Sequence, residues 1–214
     1  MRYDAEHKQR TRERVLKEAS AAIRLEGPDR VGVAGIMVRA GLTHGGFYAH
    51  FASKDELLVA SIARMFDEAC AWFEELSQDK PPADGLAAYV GFYLSRYHRD
   101  HREQSCPIAS MAADLPRLGV DARRAFEHGA ARLTTLIAQR LAAMGRDDAG
   151  VLAVSLLSEM VGAVVLARSV ADAEHSSAIL RASRKLISER LALPLKSDRL
   201  QDGRDALPTT DALG

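Results

Sequence analysis

The chain has 214 residues, with 29 lysines and arginines balanced by 29 aspartates and glutamates. A hydrophobic share of 47%, 27% charged residues and zero formal charge exclude a disordered chain and a histone-like polycation, and leave a globular protein of one large or two small domains. Cys70 and Cys106 are too few for a disulfide framework, and the charged start MRYDAEHKQRTRER is unlike a signal peptide, so a cytoplasmic setting is expected.

Apolar positions recur at spacings of three and four along nearly the whole chain, and no run alternates strictly over strand length. The fold class read from this is all-α, with about nine helices. The first is predicted from about Thr11 to Glu26, with Val15, Ala19, Ala22 and Ile23 as its apolar stripe and Gly27-Pro28 as its stop. Two short helices follow, over Val33–Ala40 and Thr43–His50, separated by Gly41. Ser53-Lys54-Asp55-Glu56 is a capping box that opens a fourth helix to about Leu76. Leu58, Ile62, Met65, Phe66, Ala69 and Phe73 mark its buried face.

After the break at Lys80-Pro81-Pro82, a fifth helix is predicted over Asp84–Asp100, and Cys106-Pro107 opens a short sixth. The seventh spans Asp121–Met144, the eighth runs from Asp147 or Asp148 to about Val170, and the ninth covers Ser176–Leu193, where Pro194 ends it. Residues 195–214 lack periodicity and read as a flexible tail. The longest apolar stretch, Val151–Ala167, is interrupted by Ser155, Ser158 and Glu159, so no membrane span is expected.

The first 64 residues carry 11 basic and 8 acidic side chains, a small positive excess compatible with a nucleic-acid face. Three short helices with a Gly-containing turn match a helix-turn-helix. Ile36, Ala40, Leu42, Phe47 and Phe51 are predicted to face its core, leaving Thr43, His44, Gly46, Tyr48 and His50 outward. Gly45-Gly46 inside a helix costs about 1 kcal/mol per glycine relative to alanine. Close approach of a ligand or DNA backbone is one reason to keep such a pair.

LTHGGFYAHFASKDEL, Leu42 to Leu57, resembles the recognition-helix signature of the TetR/AcrR family of transcriptional regulators. Glu26-Gly27, Val33 with Ile36, Ala40-Gly41, Phe47-Tyr48 and Phe51 extend the likeness over about residues 8–64. The resemblance implies a DNA-binding domain over 1–58, a ligand-binding and dimerisation domain over 59–194 and the tail over 195–214. It places Thr43, Tyr48, His50 and Lys54 against phosphates, His44 against phosphate or base edges, Arg39 at the groove, and Gly45 and Gly46 at the interface. Two departures stand out. Gly32 replaces the usual Thr or Ser cap of the second helix, and Gly46 offers no side chain for base readout. Arg10, Arg12, Arg14 and Lys17 read as a solvated face from which one or two side chains could reach DNA.

The eighth helix is apolar around nearly its whole circumference and so needs cover on all sides. In similar proteins the eighth and ninth helices form a four-helix bundle across a two-fold axis, which implies a homodimer here. The implied partners are a palindromic double-stranded operator and an apolar or aromatic small-molecule inducer, with no cofactor. Trp72, Tyr89, Phe92, Tyr93, Met111 and Phe126, with Phe73 and Tyr97, are candidates for the inducer cavity, although an aromatic stripe at helical spacing is more often core. Cys106, at the expected cap of the sixth helix with Arg99 and Arg102 shortly before it, is a candidate redox or electrophile sensor. Cys70 lies on an apolar face and is expected to be inert. His98 and His101 are two histidines at a chelating spacing, short of a metal site. Glu159 is expected at an exposed edge, with orienting a ligand or pairing at the dimer interface as the alternatives. No nucleophile-base-acid set, phosphate-cradling loop or zinc spacing occurs. A repressor released by an inducer is therefore the expected function. The rival is an all-α enzyme or carrier without specific DNA binding.

Overall fold

The computed structural model describes residues 2–194, with side chains from residue 6. The tail expected over 195–214 lies outside the described residues. Among the described residues there are nine α-helices: α1 (Arg2–Glu26), α2 (Val33–Arg39), α3 (Lys54–Ser77), α4 (Pro82–Tyr93), α5 (Arg96–Asp100), α6 (Pro107–Met111), α7 (Val120–Ala143), α8 (Ala149–Ser169) and α9 (Ala173–Leu191). Three 3₁₀ segments lie between them, over His44–Ala49, Arg102–Gln104 and Leu115–Arg117. The chain is all-α, with no strand among the described residues.

Several bounds differ from the sequence reading. α1 begins nine residues early, because the charged segment before Thr11 supports itself at helical spacing. The Gln9 amide donates to Glu13 at 2.9 Å, and the Thr11 hydroxyl to the His7 carbonyl at 2.9 Å. The single helix expected over 84–100 is two, α4 and α5. Ser95 takes an extended backbone (φ −89°, ψ 158°), and its hydroxyl accepts from the His98 N–H at 3.1 Å, so it caps a new helix rather than continuing the old one. α9 begins three residues early because Asp172 caps it, accepting from the His175 N–H at 2.7 Å. Other boundaries follow local chemistry. Ser53 accepts from the Glu56 N–H at 3.0 Å, and Glu56 reaches back to the Ala52 N–H at 2.6 Å.

The described residues fall into two compact units, one within Met1–Asp67 and Arg102–Ala130, the other within Glu68–His101 and Ala131–Gly214. The boundary expected between residues 58 and 59 falls inside α3, an unbroken helix, so the units part later, after Asp67. The first unit also takes in α6 and the start of α7. Its core gathers Val15, Ala19 and Ile23 of α1, Ile36 and Met37 of α2, Phe47, Phe51, and Leu57, Ile62, Met65 and Phe66 of α3. Met111 belongs to this core, and Phe126 meets Phe66 edge-on at 5.2 Å. Arg24, 3% exposed, ties α1 to its neighbours by donating to the carbonyls of Glu103 (3.3 Å) and Met65 (3.4 Å).

In the second unit, α8 and α9 run antiparallel. The Ser176 hydroxyl donates to the Ala167 carbonyl at 2.5 Å, and Arg190 pairs with Glu159 at 2.7 Å. Arg168 donates to the His98 and Arg99 carbonyls at 2.8 and 3.0 Å, satisfying acceptors at the end of α5. The carbonyls at the end of α3 are met by Lys80, which donates to Leu76 at 2.7 Å, and by Arg140, which donates to Ser77 at 3.1 Å. Trp72–Phe92, Phe73–Tyr89, Tyr89–Tyr93 and Tyr93–His98 form a chain of ring contacts at 4.6–5.8 Å.

Candidate nucleic-acid interface

The segment after α2 turns sharply because Gly41 takes φ +67°, a conformation costly for a residue with a Cβ. The 3₁₀ segment that follows is anchored from one side only. Phe47 and Phe51 are buried, and their rings stack at 5.7 Å. Tyr48, one position on from Phe47, is 70% exposed, and Thr43, His44 and Gly45 are exposed beside it. Lys54 begins α3 and is exposed in a first turn that still has unsatisfied N–H groups. Thr43, His44, Tyr48 and Lys54 therefore stand outward as the sequence predicts, all within the first unit.

The glycine pair has a specific geometry. A Cβ on Gly45 would meet nothing within 4 Å, and one on Gly46 would meet only Met37 Cε at 3.7 Å and Thr43 Oγ1 at 3.9 Å. Neither glycine has a positive φ. The protein's own packing does not require glycine at either position.

His50 departs from the expected outward placement. It is half-buried, and its Nδ1 is enclosed without a hydrogen-bond partner. Burial is the main cause holding its pKa below the usual histidine value, with Lys8, Arg12 and His7 adding to it. The smaller, coulombic part comes from α1, two of whose three contributing groups, His7 and Lys8, lie in the turns that precede Thr11. Arg12 also lies 4.7 Å above the Phe51 ring and 4.0 Å from Glu56. The basic run is visible in the sequence; its electrostatic effect on His50 and the seat of Arg12 on Phe51 are not. Arg39 is exposed and held by Glu26 at 2.5 Å.

The remaining candidates separate. Trp72, Tyr89, Phe92 and Tyr93 lie in the second unit, whereas Met111 and Phe126 pack in the core of the first. Cys106 caps α6 as expected, but it is 3% exposed. The positive charge expected beside it is engaged elsewhere: Arg99 bonds Asp100 and Ser176, and Arg102 donates to the Leu25 carbonyl. Cys70 is buried, and neither cysteine is part of a disulfide. His98 and His101 each turn Nδ1 to a carbonyl, of Tyr93 at 2.7 Å and Tyr97 at 3.0 Å. Among the described residues no group of three or more potential ligands could hold a metal ion. Glu159 pairs with Arg190 of its own chain.

Two family models match. Residues 15–61 fit the bacterial regulatory proteins of the tetR family, and residues 82–185 fit the C-terminal domain of LmrA/YxaF-like transcriptional regulators. Among solved structures, a TetR regulator from Chloroflexus aurantiacus is similar at 24% identity, with 87% of this chain and 96% of that one covered and a TM-score of 0.75. A TetR-family regulator from Agrobacterium tumefaciens follows at 24%, 84% and 98%, with a TM-score of 0.71. The reduced form of Escherichia coli NemR is similar at 23%, 82% and 95%, with a TM-score of 0.70. No curated protein matches in sequence. The two models lie on the two halves that the residues themselves distinguish, a helix-turn-helix with an exposed polar face and a helical second half, and the chain belongs to the TetR family of DNA-binding transcriptional regulators.

Proposed function

We propose that the protein is a homodimeric repressor that holds a palindromic operator and releases it when a small molecule binds. The observation that carries the DNA-binding part is the exposed row Thr43, His44, Tyr48 and Lys54 beside two glycines that the fold does not demand. Tyr48, Thr43 and Lys54 are assigned to phosphates, with His50 joining them from its half-buried position. His44 meets phosphate or a base edge, and Gly45 and Gly46 let the DNA backbone approach. Arg39 reaches the groove after leaving Glu26.

α8 supports the dimer. Val151 (76% exposed), Val154 (58%), Val165 and Leu166 stand out of the chain on this helix, and Leu186 does so on α9. Such a patch on one subunit calls for cover. By length and composition α8 could also cross a membrane. We assign the patch to a second copy, since Ser155 and Ser158 are exposed along the same helix and Glu159 is ion-paired. Two recognition segments related by the dimer axis then enter major grooves roughly 34–36 Å apart. A site of action on DNA fits the cytoplasm.

The inducer site is assigned to the aromatic side chains Trp72, Tyr89, Phe92 and Tyr93, with Met111 and Phe126 as the less favoured candidates because they pack in the first unit's core. An apolar or aromatic ligand there would favour the arrangement in which the recognition segments no longer fit adjacent grooves. We assign no catalytic chemistry and no cofactor. Cys106 is a subsidiary candidate sensor. Its burial means that an electrophile reaches it only after local opening, and its test is operator release from the wild type but not from Cys106→Ser.

The decisive experiment is footprinting of the purified protein on the DNA flanking its own gene. A protected palindrome, lost steeply with rising salt, is expected. Tyr48→Ala and Lys54→Glu should weaken binding to all sequences alike. A change of sequence preference at constant general affinity would overturn the phosphate assignment. Val154→Asp should give a monomer by light scattering.

A further inference from the structure

A cleft of about 550 Å³ opens within the first unit, lined by none of the residues assigned above to DNA or inducer. One wall is the end of α1 and the turn to Arg30; the other is Arg102, Ser110 of α6 and the turn from Asp114 to Arg117. Four guanidiniums line it against three carboxylates. The carboxylates are already engaged. Asp114 is paired with Arg117, which also lies 4.0 Å from Asp29, and Glu26 is paired with Arg39 outside the cleft.

Arg24 is engaged by the Glu103 and Met65 carbonyls, which leaves Arg30 and Arg102 as the two guanidiniums with the most donors to spare. Arg102 makes one bond, to the Leu25 carbonyl at 3.3 Å, and Arg30 makes no ion pair among the described residues. Arg102 keeps most of its five donors for a ligand, and the planar fork of each suits a carboxylate or a phosphate. Ser110 donates its hydroxyl proton to the Cys106 carbonyl at 3.1 Å, so recognition of a ligand falls to the guanidiniums. An apolar ligand gains little among such groups, and a single monovalent anion leaves one guanidinium unmatched.

We propose that this cleft binds a small organic polyanion, a di- or tricarboxylate or a phosphate ester, as a second effector separate from the apolar inducer. Arg30 and Arg102 clamp its two acidic ends. Arg30 lies two residues before Gly32, the N-cap of α2, so occupancy acts on the helix that precedes the recognition segment. Added negative charge in this unit lowers affinity for DNA. That consequence rests on the DNA-binding reading; the binding itself does not.

The test uses the full chain, with citrate and inorganic phosphate as probes in separate calorimetric titrations at matched ionic strength. One citrate per chain is expected. Arg102→Ala and Arg30→Ala should each weaken it about tenfold or more, and Arg102→Lys less, because it keeps the charge and loses the fork. Stronger binding of citrate than phosphate identifies a polycarboxylate, and the reverse a phosphate ester. Citrate should lower wild-type affinity for a duplex and leave that of Arg102→Ala unchanged. Equal citrate binding by wild type and both variants overturns the proposal. So does a wild-type duplex affinity that saturating citrate leaves unchanged, because occupancy of the cleft must add negative charge to this unit. Citrate binding by a protein that binds no duplex supports the cleft and refutes the DNA reading alone.

Discussion

Gly129 of α7 is the position at which one added methyl group has the most to displace. A Cβ built there falls on Cγ and Cδ2 of Phe66 and lies 2.7 Å from its Cβ. These atoms are at the root of the side chain, so a rotamer change cannot clear them unless α3 moves as well. Phe66 is fully buried and is held edge-on by Phe126 at 5.2 Å. Overpacking of this kind costs about 1–3 kcal/mol or more. Gly→Ala in a helix interior gains about 1 kcal/mol from propensity, which offsets part of it. A Cβ that falls on ring carbons puts the overpacking cost in the upper part of its range, about 2–3 kcal/mol, so Gly129→Ala should lose roughly 1–2 kcal/mol net, a fall in Tm of about 2–8 °C for a chain of this size. Gly91→Ala in α4 is the control: its Cβ meets nothing within 4 Å, and it should be neutral or slightly stabilising. Thermal unfolding followed by circular dichroism reads both. Adding Phe66→Ala to Gly129→Ala should cost less than the two single changes summed, because the clash has gone. A Gly129→Ala protein as stable as Gly91→Ala would refute a close α3–α7 approach.

Gly46→Ala meets no clash, so it should raise stability by about 0.5–1 kcal/mol while weakening operator binding about tenfold or more. Unchanged affinity would show that no DNA backbone approaches there. His50 is neutral at pH 7, since its folded pKa is depressed. As pH falls through the ordinary histidine value, the unfolded chain takes up its proton first, so native stability declines between that value and the depressed folded one and is flat above it. Operator affinity should run the other way and rise as pH falls, because a nearby phosphate favours the imidazolium. Anisotropy titrations between about pH 5.5 and 7.5 should show this increment in wild type and not in His50→Gln; equal slopes would remove His50 from the interface. Glu26→Gln leaves an exposed pair unmade, so stability should change by less than about 1 kcal/mol. It also frees Arg39, and DNA affinity at low salt should rise about two- to fivefold; a fall would mean that the pair positions Arg39 for DNA.

What was legible in the sequence was local. Gly41 needed only its own φ, Pro107 its place at a first helical position, and Ser53 with Glu56 a spacing of three. Phe47 and Phe51 were legible as core because four residues put them on one face, and the same count put Tyr48 outside. What was not legible depends on partners far along the chain. Arg39 and Glu26 are 13 residues apart, Arg24 and Glu103 are 79, and no periodicity announces either pair. His50 belongs with them: the charges of His7 and Lys8 that act on it lie in the opening turns of α1, a charged segment whose helical start no apolar stripe marks. The aromatic positions show the limit most directly. Phe126 and Tyr93 satisfy the same helical spacing, yet one packs on Phe66 in the first unit and the other on Tyr89 and His98 in the second. Spacing fixes which face of a helix is apolar. Which neighbour fills that face is decided by tertiary packing, and so is whether room is left for a ligand.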